Sequence, residues 1–194
     1  MHAYDAFLAG PEHSLNLARL QADFNREFDS PCPPVAVVAR RLEAMLAGDQ
    51  CFAILAGNGR GLVGHALVTL RPTIYFDGPL AVLDELYVQP ALRDRGIGSA
   101  LVNCLLQELA LRGSLELHIN VDEDDTATRR FYERHGFANN FLGSDWRMLL
   151  YYQPRSSHSG SEGRSAPSVV PSPWPGRITV SSGNRSKMRE VTSA

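Results

Sequence analysis

"LAVLDELYVQPALRDRGIGSALVNCLLQELALRG" (residues 80–113) changes character twice within one stretch. Its first part is β-rich and stops at Pro90, which cannot donate to a ladder. Its last part, from Gly96, carries apolar residues at Leu101, Cys104/Leu105, Leu109 and Leu111, the spacing of an amphipathic helix closed by Gly113. Between them lies a loop with two arginines and two glycines. The first turn of a helix has amides without intrahelical partners and partial positive charge. Gly96 and Gly98 permit close backbone approach, and Arg93 and Arg95 add forked donors. The loop therefore reads as an anion site, with a solvated, capped turn as the competing reading. It is not the dinucleotide fingerprint, since Leu101 stands at the third glycine, and it lacks a P-loop lysine.

Working outward, residues 4–8 suit a short strand. Residues 11–28 have near-helical apolar spacing, and "DSPCPP" (29–34) stops that helix. Residues 34–49 read as a second helix. The period then switches to strands at 51–57 and 61–72, joined by Gly57-Asn58-Gly59. Beyond the opening stretch, 114–121 alternates like a strand, 124–137 is a helix ended by Gly136, and 145–153 is a last strand. Helices, then antiparallel strands, then strand–helix–strand–helix–strand predict an α+β fold of α/β/α layers around one mixed, mainly antiparallel sheet.

The 194 residues suit one domain with an appendage. Residues 1–153 carry a formal charge of −6, whereas residues 154–194 carry +4 and contain 11 Ser, 5 Pro and 4 Gly. Residues 154–194 are thus expected to be a disordered tail. An acidic domain argues against nucleic acid as partner and suits a cationic substrate. Three cysteines without metal or C-x-x-C spacing, and scattered histidines, predict free thiols, a cytoplasmic setting and no metal. No run has the layout of a signal peptide or a membrane span, so no membrane partner is expected.

The order of elements, with Arg93-x-x-Gly96-x-Gly98 opening one helix and Tyr132-x-x-x-Gly136-Phe137 closing the next, resembles the GNAT superfamily of acetyl-CoA-dependent N-acetyltransferases. The likeness is close over residues 80–137 and extends over 11–153. It implies acetyl-CoA as cosubstrate. The pyrophosphate would be held by backbone amides from Arg93, Asp94, Arg95, Gly96, Ile97 and Gly98 to Ser99. The pantetheine arm would pair with the edge of a splayed, bulged strand at Leu86, Tyr87 and Val88, a form of β-strand addition. An amide near Val88 would polarise the thioester carbonyl, and Tyr132 would protonate the departing sulfur.

The base stays open between two residues. Glu85 stands where many members carry a carboxylate, and Asp84-Glu85 resembles the pair of diamine acetyltransferases. Strand alternation would turn the two to opposite faces, with Glu85 the favoured base. Other members place the base three residues earlier, where this chain has Val82. Asp125 and Thr128 replace an Asn and an Ala frequent in the family. Asp125 still suits a helix cap and would lie near the nucleotide end of the cofactor. For the acceptor, Phe24, Glu27 and Phe28 at one helix end, and Tyr75 and Asp77 in the 72–80 loop, join aromatics with acids that suit a cationic amine. The resemblance implies a small-molecule amine acceptor, polyamine-like or aminoglycoside-like, and allows a homodimer. A protein or peptide acceptor, or a non-catalytic acetyl-CoA-binding regulatory module, are the alternatives.

Overall fold

The computed structural model of the chain describes residues 4–140 and 143–151; the 154–194 tail lies outside the described residues. Five strands, β1 (Asp5–Ala9), β2 (Cys51–Asn58), β3 (Gly61–Arg71), β4 (Leu80–Val88) and β5 (Glu116–Ile119), form one sheet in that order. Neighbours from β1 to β4 are antiparallel, and β4–β5 is parallel. The parallel pair needs a crossover, which α3 (Ile97–Leu111) supplies. Helices α1 (Ser14–Glu27) and α2 (Val35–Leu46) precede β2, and α4 (Thr126–Arg134) follows β5. The expected α+β layers and mixed sheet are the observed ones.

Two cores sit on the two faces of the sheet. Phe52, Ile54, Val68 and Leu83 pack with Leu101 and Leu105 of α3. Ala53, Leu55 and Tyr87 pack with Leu17, Phe24 and Leu42 of α1 and α2. Strand β2 is covered on both sides, which is why "CFAILAG" is continuously apolar rather than alternating. Each fully buried large side chain here contributes roughly 1.5–3 kcal/mol from burial.

The helix ends follow local chemistry. Helix α4 ends with Gly136 at φ 85, and the Phe137 amide reaches back to the Tyr132 carbonyl at 3.1 Å. Phe137 also packs on the Tyr132 ring, with centroids 5.3 Å apart. This is a Schellman cap with its apolar contact, and it explains the spacing of Tyr132, Gly136 and Phe137 without reference to catalysis. Helix α1 ends in the same hydrogen-bond pattern, with the Ser30 amide on the Asn25 carbonyl at 2.9 Å and Asp29 in the left-handed position at φ 48.

The expected last strand is not formed over its described part, 145–151. Only an isolated bridge, Asn140 with Arg147, is present there. Met148, Leu149, Leu150 and Tyr151 are 59%, 66%, 70% and 89% exposed, and among the described residues the one backbone bond this run makes is from the Met148 amide to the Asn139 carbonyl at 2.7 Å, which makes no ladder.

Candidate active site

The register of β4 changes once, at a bulge. Leu83 sits opposite Val68 and Glu85 opposite Leu67, which leaves Asp84 as the extra residue. Ala81 and Leu83 before it, and Leu86 and Val88 after it, all face α3. The side-chain parity therefore flips, and Asp84 and Glu85 both face the α1/α2 side. Simple alternation had placed them on opposite faces, and the bulge corrects this. Asp84 hydrogen-bonds Thr69, yet burial still raises its pKa.

The bulge coincides with a split in the sheet. The β4–β5 pairing runs only from Leu80/Glu116 to Leu83/Ile119. Beyond it, among the described residues, β4 is paired only with β3. The Gln89 amide donates to the Val63 carbonyl at 2.9 Å. Peptide groups alternate between the two edges of a strand, so Leu86 and Val88 turn theirs to the open edge. Those of Tyr87 turn toward β3, so of the three edge residues expected to meet a cofactor, Tyr87 has its peptide groups on the wrong side. Its ring packs instead against Phe24, at 5.7 Å between centroids.

Past the open edge, the chain passes through Asp94 (φ 60) and Gly96 (φ 80), both left-handed, into α3. The first intrahelical bond is Ala100 N–H to Gly96 carbonyl, at 2.9 Å. The amides of Ile97, Gly98 and Ser99 have no such partner, and no side chain caps this end. Gly98 lies against Phe131: an added Cβ would stand 3.2 Å from the ring. Ser99 joins this turn to α4. The His135 Nδ1 faces the Phe131 carbonyl at 2.7 Å and must carry the proton there, so in the neutral ring the Ser99 hydroxyl donates to Nε2 at 3.0 Å.

Arg93 does not offer its charge to this turn. Its Nε donates to the Val88 carbonyl at 3.0 Å, and its two terminal nitrogens hold both Glu27 oxygens at 2.8 and 2.7 Å. The Arg93 side chain is only 6% exposed. It thus pins the loop to the end of α1, and Arg95, which is exposed, remains the solvent-facing cation of the loop. The same pairing takes up the Glu27 carboxylate, which the sequence had suggested for the acceptor.

Tyr132 lies 2% exposed in the core against α3. Among the described residues its hydroxyl is buried without a hydrogen-bond partner. Burial, then the charges of Asp125 and Glu85, hold its pKa well above the usual tyrosine value, so the proton stays on. Asp125 caps α4, accepting from the Thr128 amide at 3.0 Å.

On the opposite face of β4, a cleft of about 240 Å³ opens between α1, α2 and the sheet. Glu85 and His65 lie on its floor, with Leu17 and Leu42 among its apolar walls. Burial raises the Glu85 pKa to about 8, against a hydrogen bond from Gln21 that lowers it, and the neighbouring Asp84 raises it further. His65 is 2% exposed, and burial lowers its pKa to about 4, so the ring is neutral. Its Nε2 pairs with Gln21 Oε1 at 3.0 Å. Gln21 in turn donates to Asn25 Oδ1 at 3.0 Å, and Asn25 Nδ2 donates to the Pro31 carbonyl at 3.0 Å. This chain ties the proline loop to α1 and orients Gln21 against Glu85. Gln21 and His65 were not singled out from the sequence, whereas Asn25 belongs to the polar-aromatic cluster at the end of α1 that the sequence suggested for the acceptor, and it does line the cleft. The one visible signal was a lone histidine inside the apolar run "GLVGHALVTL".

Other acceptor residues expected from the sequence do not meet at this cleft. Phe24 is fully buried in the core, because α1 packs that face on β2 and β4. Phe28 is half-buried against it, at 5.1 Å between rings. Tyr75 is 85% exposed in the 72–79 loop, and Asp77 lines a separate depression with Asp49 and Arg71. That loop connects β3 to the start of β4, ahead of the bulge, so strand geometry keeps it from Glu85. Among the described residues no helix is long and apolar enough to cross a membrane, and the three cysteines are free.

Comparison with known proteins agrees with this architecture. A crystal structure of a protein from Arthrobacter sp. FB24, classed as an acetyltransferase, matches with a TM-score of 0.72 and 38% identity over 79% of this chain and 96% of its own. The mycothiol acetyltransferase of Geodermatophilus obscurus is 34% identical over 102 residues, 51% of this chain. That match spans only 32% of the relative's length. An aminoglycoside acetyltransferase from an uncultured soil metagenomic sample, crystallised with sisomicin, shares the fold at a TM-score of 0.64. Its identity is 17%, with 78% of this chain and 97% of its own covered. The model of the acetyltransferase (GNAT) family matches residues 17–137, which contain the bulged strand, the uncapped helix and Tyr132, and the chain belongs to that family.

Proposed function

We propose that the chain transfers an acetyl group from acetyl-CoA to the primary amine of a small acceptor. The observation that carries this reading is a set of groups lacking partners among the described residues: the Leu86 peptide groups and the Val88 N–H on the open β4 edge, the free amides of Ile97, Gly98 and Ser99, and the orphaned Tyr132 hydroxyl. These fit an elongated ligand with amides in its middle and an anion at one end. Acetyl-CoA supplies the activated acyl group when bound.

The chain's own residues account for the rest. The amides at the start of α3, with the helix dipole behind them, hold the pyrophosphate. The Leu86 peptide groups pair with the pantetheine arm, and the N–H of Val88, whose own carbonyl is held by Arg93, donates to the thioester carbonyl oxygen where negative charge develops. The amine approaches from the α1/α2 cleft. It must be neutral to attack, and Glu85 removes its proton. With a pKa near 8, Glu85 is close enough to neutrality to take that proton and release it again. Tyr132, held neutral, gives its proton to the departing thiolate on the far side of the split. Asp84 raises the basicity of Glu85 and makes no direct transfer. Asp125 caps α4 and so fixes the helix that carries Tyr132.

A panel of primary amines with acetyl-CoA, followed by release of free thiol, tests this reading, alongside calorimetric titration of CoA. Tight CoA binding without turnover of any amine would favour a regulatory module. Absence of CoA binding would remove the reading altogether.

A further inference from the structure

From the walls of the α1/α2 cleft we infer that its acceptor is a monoamine on an apolar body with an anionic far end, rather than a polycation. This rests on the acetyltransferase reading and narrows it. Two charged residues line the cleft, Glu85 on the floor and Arg41 on α2. Glu85 Oε2 and His65 Nδ1 are buried there without hydrogen-bond partners among the described residues. Since His65 Nε2 faces the Gln21 carbonyl oxygen, which only accepts, Nδ1 is the lone-pair side of the ring. With Glu85 as carboxylate, the floor presents two acceptors and calls for a group with several N–H bonds. A primary amine has them.

Above the floor, Leu17 of α1 and Val38, Leu42 and Met45 of α2 make the wall apolar. A second ammonium placed along it would lose its water and gain no partner. Where the wall reaches solvent stands Arg41, exposed and without an ion pair among the described residues. It repels a distal cation and attracts a carboxylate. The acidic balance of residues 1–153 lies mostly outside this cleft; inside it, once Glu85 is ionised, the charges run from negative at the floor to positive at the mouth.

Three probes of one chain length separate the possibilities: ε-aminocaproate, hexylamine and hexamethylenediamine, which end in carboxylate, methyl and ammonium. Each is titrated calorimetrically into the full chain with and without CoA, and each is offered as acceptor with acetyl-CoA. Affinity and kcat/KM should rank aminocaproate above hexylamine above the diamine, with each step about 2–5-fold, the worth of one solvent-facing charge pair. Arg41→Glu should invert the outer two, and Arg41→Gln should level them, both at unchanged CoA affinity. Preference for the diamine, a ranking indifferent to both Arg41 variants, or no binding of any probe would overturn the inference. Because amine binding is read without CoA, these outcomes stand apart from failure to bind CoA, which would strike the acetyltransferase reading instead.

Discussion

Tyr132→Phe should make the protein more stable and far less active. The substitution removes one oxygen and keeps the ring. That oxygen is buried with no hydrogen-bond partner in a residue 2% exposed. A buried polar group left unpaired costs about 1–3 kcal/mol, so its removal should stabilise the cofactor-free protein by roughly that amount. The edge contacts of the ring with Phe131 and Phe137, at 5.2 and 5.3 Å, are unchanged. For a chain of this size each kcal/mol moves Tm by about 2–4 °C, so a rise of a few degrees is expected in a thermal melt. Turnover should fall by the ~10²–10⁴-fold of a lost general acid. The loss should be smallest with an acyl donor whose leaving thiolate needs no proton. A lower Tm would show that the hydroxyl has a structural partner. Full turnover with every donor would reduce Tyr132 to the capping and packing role that its position in α4 already explains.

Further outcomes are expected at other sites. Glu85, with its folded pKa raised to about 8 from 4.5, binds more protons folded than unfolded between those values; its contribution to stability is complete below about pH 4.5 and is lost as pH rises through 8. His65, lowered to about 4 from 6.5, has the opposite sign, adding stability above pH 6.5 that is lost as pH falls through 4. The two slopes oppose one another between about pH 4.5 and 6.5, so Glu85→Gln should expose the rising His65 slope there and flatten the decline toward pH 8 in denaturant titrations; an unaltered profile would refute the assignment. The same variant should abolish the rise of kcat/KM with pH through about 8 that deprotonation of Glu85 predicts. Arg93→Ala strands the Val88 carbonyl and Glu27, and should cost about 1–3 kcal/mol in urea unfolding and weaken CoA binding through a loosened strand end. Arg93→Lys, which cannot make the bidentate pair, should recover only part of both losses. Gly96→Ala meets nothing within 4 Å but sits at φ 80. It should cost about 1 kcal/mol in stability from backbone strain, readable as a fall in the urea midpoint; no change would show that the turn relaxes freely.

The uncapped turn at the start of α3 was legible in the sequence because it depends on backbone. A strand stopped by Pro90, glycines at Gly96 and Gly98, and an apolar helix from Ile97 state where free amides must lie, whatever the rest of the chain does. The helix-ending motif at Tyr132, Gly136 and Phe137 is equally local. Most elements were legible for the same reason: their periods of two and of 3.6 are written within each segment. What the sequence alone could not decide all depends on segments far apart in the chain. The bulge that turns Asp84 and Glu85 to one face is a mismatch of register between β3 and β4, and no count along β4 shows it. Arg93 looked free until α1, 66 residues earlier, brought Glu27 against it. The apolar run 148–151 had strand composition but, among the described residues, joins no strand of the sheet. Phe24 and His65 were an aromatic and a histidine in amphipathic surroundings; only the packing of α1 across the sheet made one of them core and the other part of the cleft floor. Local pattern fixes what a segment becomes, whereas burial and partnership are properties of pairs, and the pairs form only when the sheet closes.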